Sequence, residues 1–191
     1  MDIDPRRCPI ATSVVVVVTA VLSILQFPLP AVRQALWRDP DQITTGQWRR
    51  LLTALFVQDD LVWQIVVVLA LVAGVGVLAE WIFGHGRWLL LYFGCGMVGQ
   101  AFGVLWLPHI NDAGASVAGA GLLGAVCAWL LSPAGPPLAR VRIWAVVWLL
   151  AGVVLTGLRD MHGPPLLLGF GVGALLLWRD RRRPEASPRV T

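Results

Sequence analysis

Six uninterrupted apolar runs divide this 191-residue chain: 9–28, 61–83, 87–107, 115–132, 141–158 and 163–178. A helix needs about 20 apolar residues to cross the ~30 Å hydrocarbon core of a bilayer. A soluble bundle would need a polar face on each helix, and these runs offer almost none. With 57% of its residues hydrophobic and 14% charged, the chain is expected to be an all-α membrane protein, a bundle of six transmembrane helices. Arg6 and Arg7 before the first run resemble the start of a signal peptide, yet no A-x-A-like cleavage site follows and the run suits a span better.

Charge sets the expected topology. All fifteen basic residues are Arg, and they gather at the ends of the runs without any basic stripe of interleaved aromatics. The high pI of about 9.8 therefore points to membrane topology and not to nucleic acid. Six spans put both termini on one side. That side holds ten arginines, Arg6, Arg7, Arg87, Arg140, Arg142, Arg179, Arg181, Arg182, Arg183 and Arg189, against five on the other, Arg33, Arg38, Arg49, Arg50 and Arg159. The positive-inside rule then makes both termini cytoplasmic. The expected organisation is a cytoplasmic tail over 1–8, a membrane domain over 9–178 and a basic cytoplasmic tail over 179–191 that anchors the last helix. An external loop over 29–60 carries Trp37, Trp48, Arg49 and Arg50, a mixture that suits a segment lying in the membrane interface.

Other chemistries are excluded in turn. Cys8, Cys95 and Cys127 are odd in number and lack C-x-x-C spacing, so they predict packing residues and neither a disulfide framework nor a metal site. No ionisable residue falls at the middle of a run, which argues against a transporter. Glu80 falls near the cytoplasmic end of the second run and is expected close to Arg87. No metal or cofactor is implied.

The fourth run is unusual in side-chain size. Ala115, Ala118, Gly119, Ala120, Gly121, Gly124, Ala125, Cys127 and Ala128 surround its axis, where a lipid-facing helix would show a large apolar stripe. Small residues let backbones approach closely in bilayers, so this helix is expected at the centre of the bundle. Gly169 and Gly173 give the sixth run a G-x-x-x-G spacing, and the two helices are expected to touch through Gly121, Gly124, Gly169 and Gly173. Both begin on the external side. Ser116 opens one and His162 immediately precedes the other, with Pro164 and Pro165 fitting a first helical turn. A hydroxyl and an imidazole at equal depth on touching helices are the minimum for a Ser–His dyad. The first N–H groups of the fourth helix, beside Ser116, lack intrahelical partners and can stabilise an oxyanion.

At these residues the chain resembles the rhomboid family of intramembrane serine proteases, from about Trp48 to Gly173. Gly114-Ala115-Ser116, followed by Gly121 and Gly124, resembles its G-x-S nucleophile motif and glycine ladder. His162 with Gly169 resembles its sixth-helix base motif. Trp48-Arg49 and Glu80 to Gly84 resemble its first-loop W-R and second-helix E-x-x-x-G motifs. The resemblance implies a six-helix rhomboid-like bundle in a bacterial plasma membrane, cutting single-pass membrane proteins near the outer face. Ser116 would be the nucleophile and His162 the base, with Gln64, Val117 and Gly114 as oxyanion or substrate-binding candidates. The chain also departs from the pattern. Val117, Ala120 and Pro165 stand where the family usually has glycine, an aromatic and glycine. Its H-x-x-x-N oxyanion pair falls on Gln64 and Val68, and Gln58 replaces a histidine often found before that helix. These departures keep a second expectation open, a catalytically weak or inactive relative that binds transmembrane helices. Oligomeric state is not legible.

Overall fold

The structure, a computed structural model, describes residues 8–58 and 62–182. Among them the chain forms α1 (Ile10–Leu25), α2 (Pro30–Leu36), α3 (Pro40–Thr44), α4 (Arg50–Thr53), α5 (Val62–Phe83), α6 (His85–Trp106), α7 (Ser116–Leu131), α8 (Ala139–Gly157) and α9 (Gly163–Arg182). A 3₁₀ turn over Ala54–Phe56 follows α4. Helices α5, α6 and α8 are long and apolar enough to cross a membrane, and α1 and α7 are shorter apolar helices. The last helix runs four residues past the expected span end, so Arg179, Arg181 and Arg182 are helical and complement its C-terminal dipole. The remainder of the expected tails, 1–7 and 183–191, lies outside the described residues.

Helix α7 is the axis of the bundle. Twelve of its sixteen residues are buried, and α5, α6, α8 and α9 all pack on it. The glycines explain the closeness of α9. A Cβ on Gly124 would overlap the Leu166 carbonyl, one on Gly169 would overlap the Gly121 carbonyl, and one on Gly173 would meet Ala125. Helix α6 presents a second bare face, where a Cβ on Gly96 would press on Leu55 and Ala118 and one on Gly99 on Val117 and Pro165. By contrast α8 buries Ala145 and Gly152 and leaves Ile143, Trp144, Leu150 and Val153 exposed, the surface of a helix whose solvent is lipid.

The segment between α1 and α5 is a folded cap. Pro30 and Pro40 start α2 and α3, and Asp39 caps α3 by accepting the Gln42 N–H at 3.1 Å. Arg50 ties the cap together, donating to Gln47 Oε1, Gln42 Oε1 and the carbonyls of Gln34 and Trp37 at 2.7–3.2 Å. Trp48 remains 64% exposed.

Two expectations are corrected. Glu80 does not face Arg87. It is fully buried and accepts from Ala11 N (2.8 Å), Thr12 N (2.7 Å) and Thr12 Oγ1 (2.6 Å), with His85 beside it. No side chain at Pro9 caps α1, so a carboxylate from α5 satisfies its orphan N–H groups. Arg87 instead pairs with Asp180 of α9 through two bonds of 2.5 and 2.7 Å. The cysteines are free, but whereas Cys95 and Cys127 are buried as packing residues would be, Cys8 is exposed.

Candidate active site

Ser116 is the first residue of α7, delivered by a short strand-like segment that is pinned on three sides. Asp112 and Arg38 exchange both backbone hydrogen bonds (2.8 and 3.1 Å), Gly114 N donates to Ala54 O at 3.0 Å, and Gln100 Nε2 donates to Gly114 O at 3.3 Å. The side chains repeat the pinning. Arg38 is fully buried and donates to Asp112 Oδ2 (3.1 Å), Gln100 Oε1 (2.9 Å) and Met161 Sδ (3.0 Å). One guanidinium therefore holds both the Ser116 segment and the residue before His162. It fits because Gly103 leaves no side chain in its place.

His162 sits in the turn between α8 and α9, and its carbonyl accepts the first backbone bond of α9, from Leu166 N at 3.3 Å. Its Nε2 lies 2.9 Å from Ser116 Oγ, within hydrogen-bond range. The sequence-predicted nucleophile and base thus meet, and they meet because Gly121, Gly124, Gly169 and Gly173 let α7 and α9 touch. On the far side of the ring, Nδ1 lies 2.7 Å from Asp160 Oδ1, which also accepts the His162 backbone N–H at 2.8 Å. Burial pushes the Asp160 carboxyl up, but the two hydrogen bonds from His162 and its attraction to the ring together outweigh this and hold it below the usual carboxylate range.

The remaining candidates divide. Gly114 lies against the nucleophile, where a Cβ would come 3.3 Å from Ser116 Oγ and 3.4 Å from Gln58 Oε1. Val117 is fully buried and packs on Gly99 of α6, so only its backbone can serve an oxyanion. No side chain caps α7, which leaves the N–H groups of its first turn, beside Ser116, without a side-chain partner. Gln64 is half-buried in the first turn of α5, and its side chain has no hydrogen-bond partner among the described residues. Gln58 is 1% exposed, and its Nε2 has no partner among the described residues. Val68 is buried and has no donor to offer.

Three residues at this site escaped the sequence reading: Asp160, Gln58 as a neighbour of Ser116, and Arg38. The first had a local signal, since an Asp just before a helix can accept from the N–H two residues on, the pattern of an Asx-turn. The other two come from a distant loop and carry no such signal.

No curated protein matches the chain. The family model of the rhomboid domain matches residues 45–183, which include α4 to α9 and both members of the Ser116–His162 pair. Rhomboid proteins are generally intramembrane serine proteases, built as multi-pass membrane bundles. This chain belongs to the rhomboid family.

Proposed function

We propose that the protein is a rhomboid-type intramembrane serine endopeptidase whose six long helices, α1 and α5 to α9, all cross the membrane. The observation that carries this reading is the 2.9 Å approach of Ser116 Oγ to His162 Nε2. The Ser116 hydroxyl proton passes to Nε2 as Oγ bonds to the scissile carbonyl carbon. The resulting oxyanion is met by first-turn N–H groups of α7 near Gly114, Ser116 and Val117, and by a side-chain amide, for which Gln58 is better placed than Gln64. His162 then returns its proton to the leaving amine, and water, deprotonated by the same ring, releases the acyl group from Ser116.

Depth follows from length. At 1.5 Å per residue, the 16 residues of α7 span about 24 Å, short of the ~30 Å hydrocarbon core. Ser116 therefore lies beneath one membrane face, reached by water through the 33% exposed His162 side. Substrates are single-pass membrane proteins, unwound locally near that face. The arginine distribution supports both termini cytoplasmic and the site toward the outside, in what the resemblance implies is a bacterial plasma membrane.

The test is cleavage of a tethered single-pass model substrate in membranes by wild type, Ser116→Ala and His162→Ala. Loss in both variants supports the reading, and cleavage undiminished in Ser116→Ala refutes it. The alternative, a relative that binds transmembrane helices without cutting them, draws on the missing donor at Val68. It requires that wild type also leave the substrate whole and still co-purify with it.

A further inference from the structure

The geometry around His162 begins at the end of α8. Leu158 closes that helix, and Arg159 follows with φ 58°, the left-handed region that normally takes glycine. Arg159 N donates to Thr156 O at 3.1 Å and Asp160 N to Leu155 O at 2.9 Å. These are the two bonds of a Schellman motif with Asp160 at its exit. Left-handed backbone is unfavourable for a residue that carries a side chain, and strain of this kind collects at functional sites. What the motif delivers is a carboxylate whose Oδ1 accepts twice from one residue, the backbone N–H of His162 and its ring Nδ1.

We infer that Asp160 is a positioning residue that holds His162 in its Nδ1–H form with the Nε2 lone pair turned to Ser116, extending the pair to a Ser116–His162–Asp160 relay. The catalytic consequence rests on the protease reading; the hold on the ring does not. A neutral imidazole has one donor and one acceptor nitrogen. Only an acceptor at Nε2 can take the serine proton, so Nδ1 must carry the hydrogen, and a group that accepts only is what selects this form. An ionised carboxylate accepts only. The second bond, from the backbone N–H, fixes where that carboxylate stands. When the ring gains the serine proton, the same oxygen faces the new positive charge.

A merely structural Asx-turn would use the backbone bond alone, and substitution separates the two. Asp160→Ser keeps an acceptor for the His162 N–H and is too short to reach Nδ1. With ¹⁵N-histidine in the full-length protein, three histidines give signals, and loss of one in His162→Gln assigns the ring of interest. Expected in wild type is the Nδ1–H form. Expected in Asp160→Ser is a mixture with Nε2–H, an unchanged unfolding temperature, KM within about twofold, and kcat lower by about 10- to 100-fold. That lies at or below the about 10²- to 10⁴-fold that positioned proton transfer supplies, because the Asp160 side chain is 43% exposed and its field is screened. Should Asp160→Ser not fold, Asp160→Asn retains the turn acceptor and removes the charge, with a kcat loss expected at the lower end of that range. Wild-type ring form and wild-type kcat in either folded variant, alongside inactive Ser116→Ala, overturn the inference and leave the protease reading standing. If wild type itself does not cleave, the protease reading fails alone, and the ring form in the Asp160 variants still decides the inference.

Discussion

Gly124 rests against the carbonyl of Leu166 with no room for a Cβ between them. The contact joins α7 to α9 eight residues after Ser116 and four after His162, so the separation of nucleophile and base is set by backbone touching backbone. Overpacking a well-filled core costs about 1–3 kcal/mol when side chains can yield, and a carbonyl cannot. Gly124→Val is expected to lower the unfolding temperature in detergent and to abolish cleavage. Gly171, on the same helix as Leu166, has nothing within 4 Å of where its Cβ would be. Gly171→Ala is expected to leave cleavage intact and to stabilise by up to about 1 kcal/mol through helix propensity. Thermal unfolding and cleavage of the two variants side by side check both.

Arg38 supplies the cross-brace. It reaches Asp112 ahead of the nucleophile and Met161 ahead of the base, so removing it loosens both partners of the 2.9 Å pair together. Arg38→Met also strands the Gln100 Oε1 acceptor, and breaking a buried ion pair from one side costs about 3–5 kcal/mol. The expected outcome is a clear fall in unfolding temperature with cleavage reduced more than in any variant of the exposed Trp48. A double-mutant cycle with Asp112→Asn is expected to give a coupling of about 1 kcal/mol or more, measured by denaturation; additivity would show that the brace carries no coupling.

Helix positions were legible in the sequence because lipid demands long apolar runs, and the six runs coincide with α1 and α5 to α9 to within a few residues. The meeting of Ser116 with His162 was legible for a related reason: glycine and alanine on two helices leave few ways to pack them. What escaped was polar and non-local. Glu80 reads as a partner for Arg87 by proximity in sequence, yet the N-terminus of α1, some seventy residues earlier, claims it. Arg38 reads as one more external cation, and only the tertiary fold shows it buried against Gly103. Hydrophobic period carries no information about which distant donor a buried carboxylate will find.

The oxyanion donor is open to direct comparison. Gln58 is buried with its Nε2 unpartnered among the described residues and its Oε1 near Gly114, and an amide can present either end. Gln64, the residue that the motif resemblance gives, is half-buried in the first turn of α5. Loss of one oxyanion donor lowers kcat by about 10²- to 10³-fold. Gln58→Leu, close in volume, is expected to show a loss of that order with KM little changed, whereas Gln64→Leu is expected to stay within about threefold of wild type. Single-turnover cleavage rates for the pair check the assignment, and the reverse order would return the role to Gln64.

Acid sensitivity follows from the lowered Asp160 carboxyl. The folded state favours its ionised form, because the hydrogen bonds from His162 outweigh the burial that opposes it. A group held below its unfolded pKa of about 3.9 contributes its full stabilisation above that value and loses it as pH falls through the lower, folded one. The difference in unfolding temperature between wild type and Asp160→Ala is therefore expected to shrink as pH falls from about pH 5 to below about pH 4. Thermal unfolding of both proteins across this range makes the check. A gap that widens over this acid range would mean that the fold favours the protonated carboxyl, with the opposite sign of linkage.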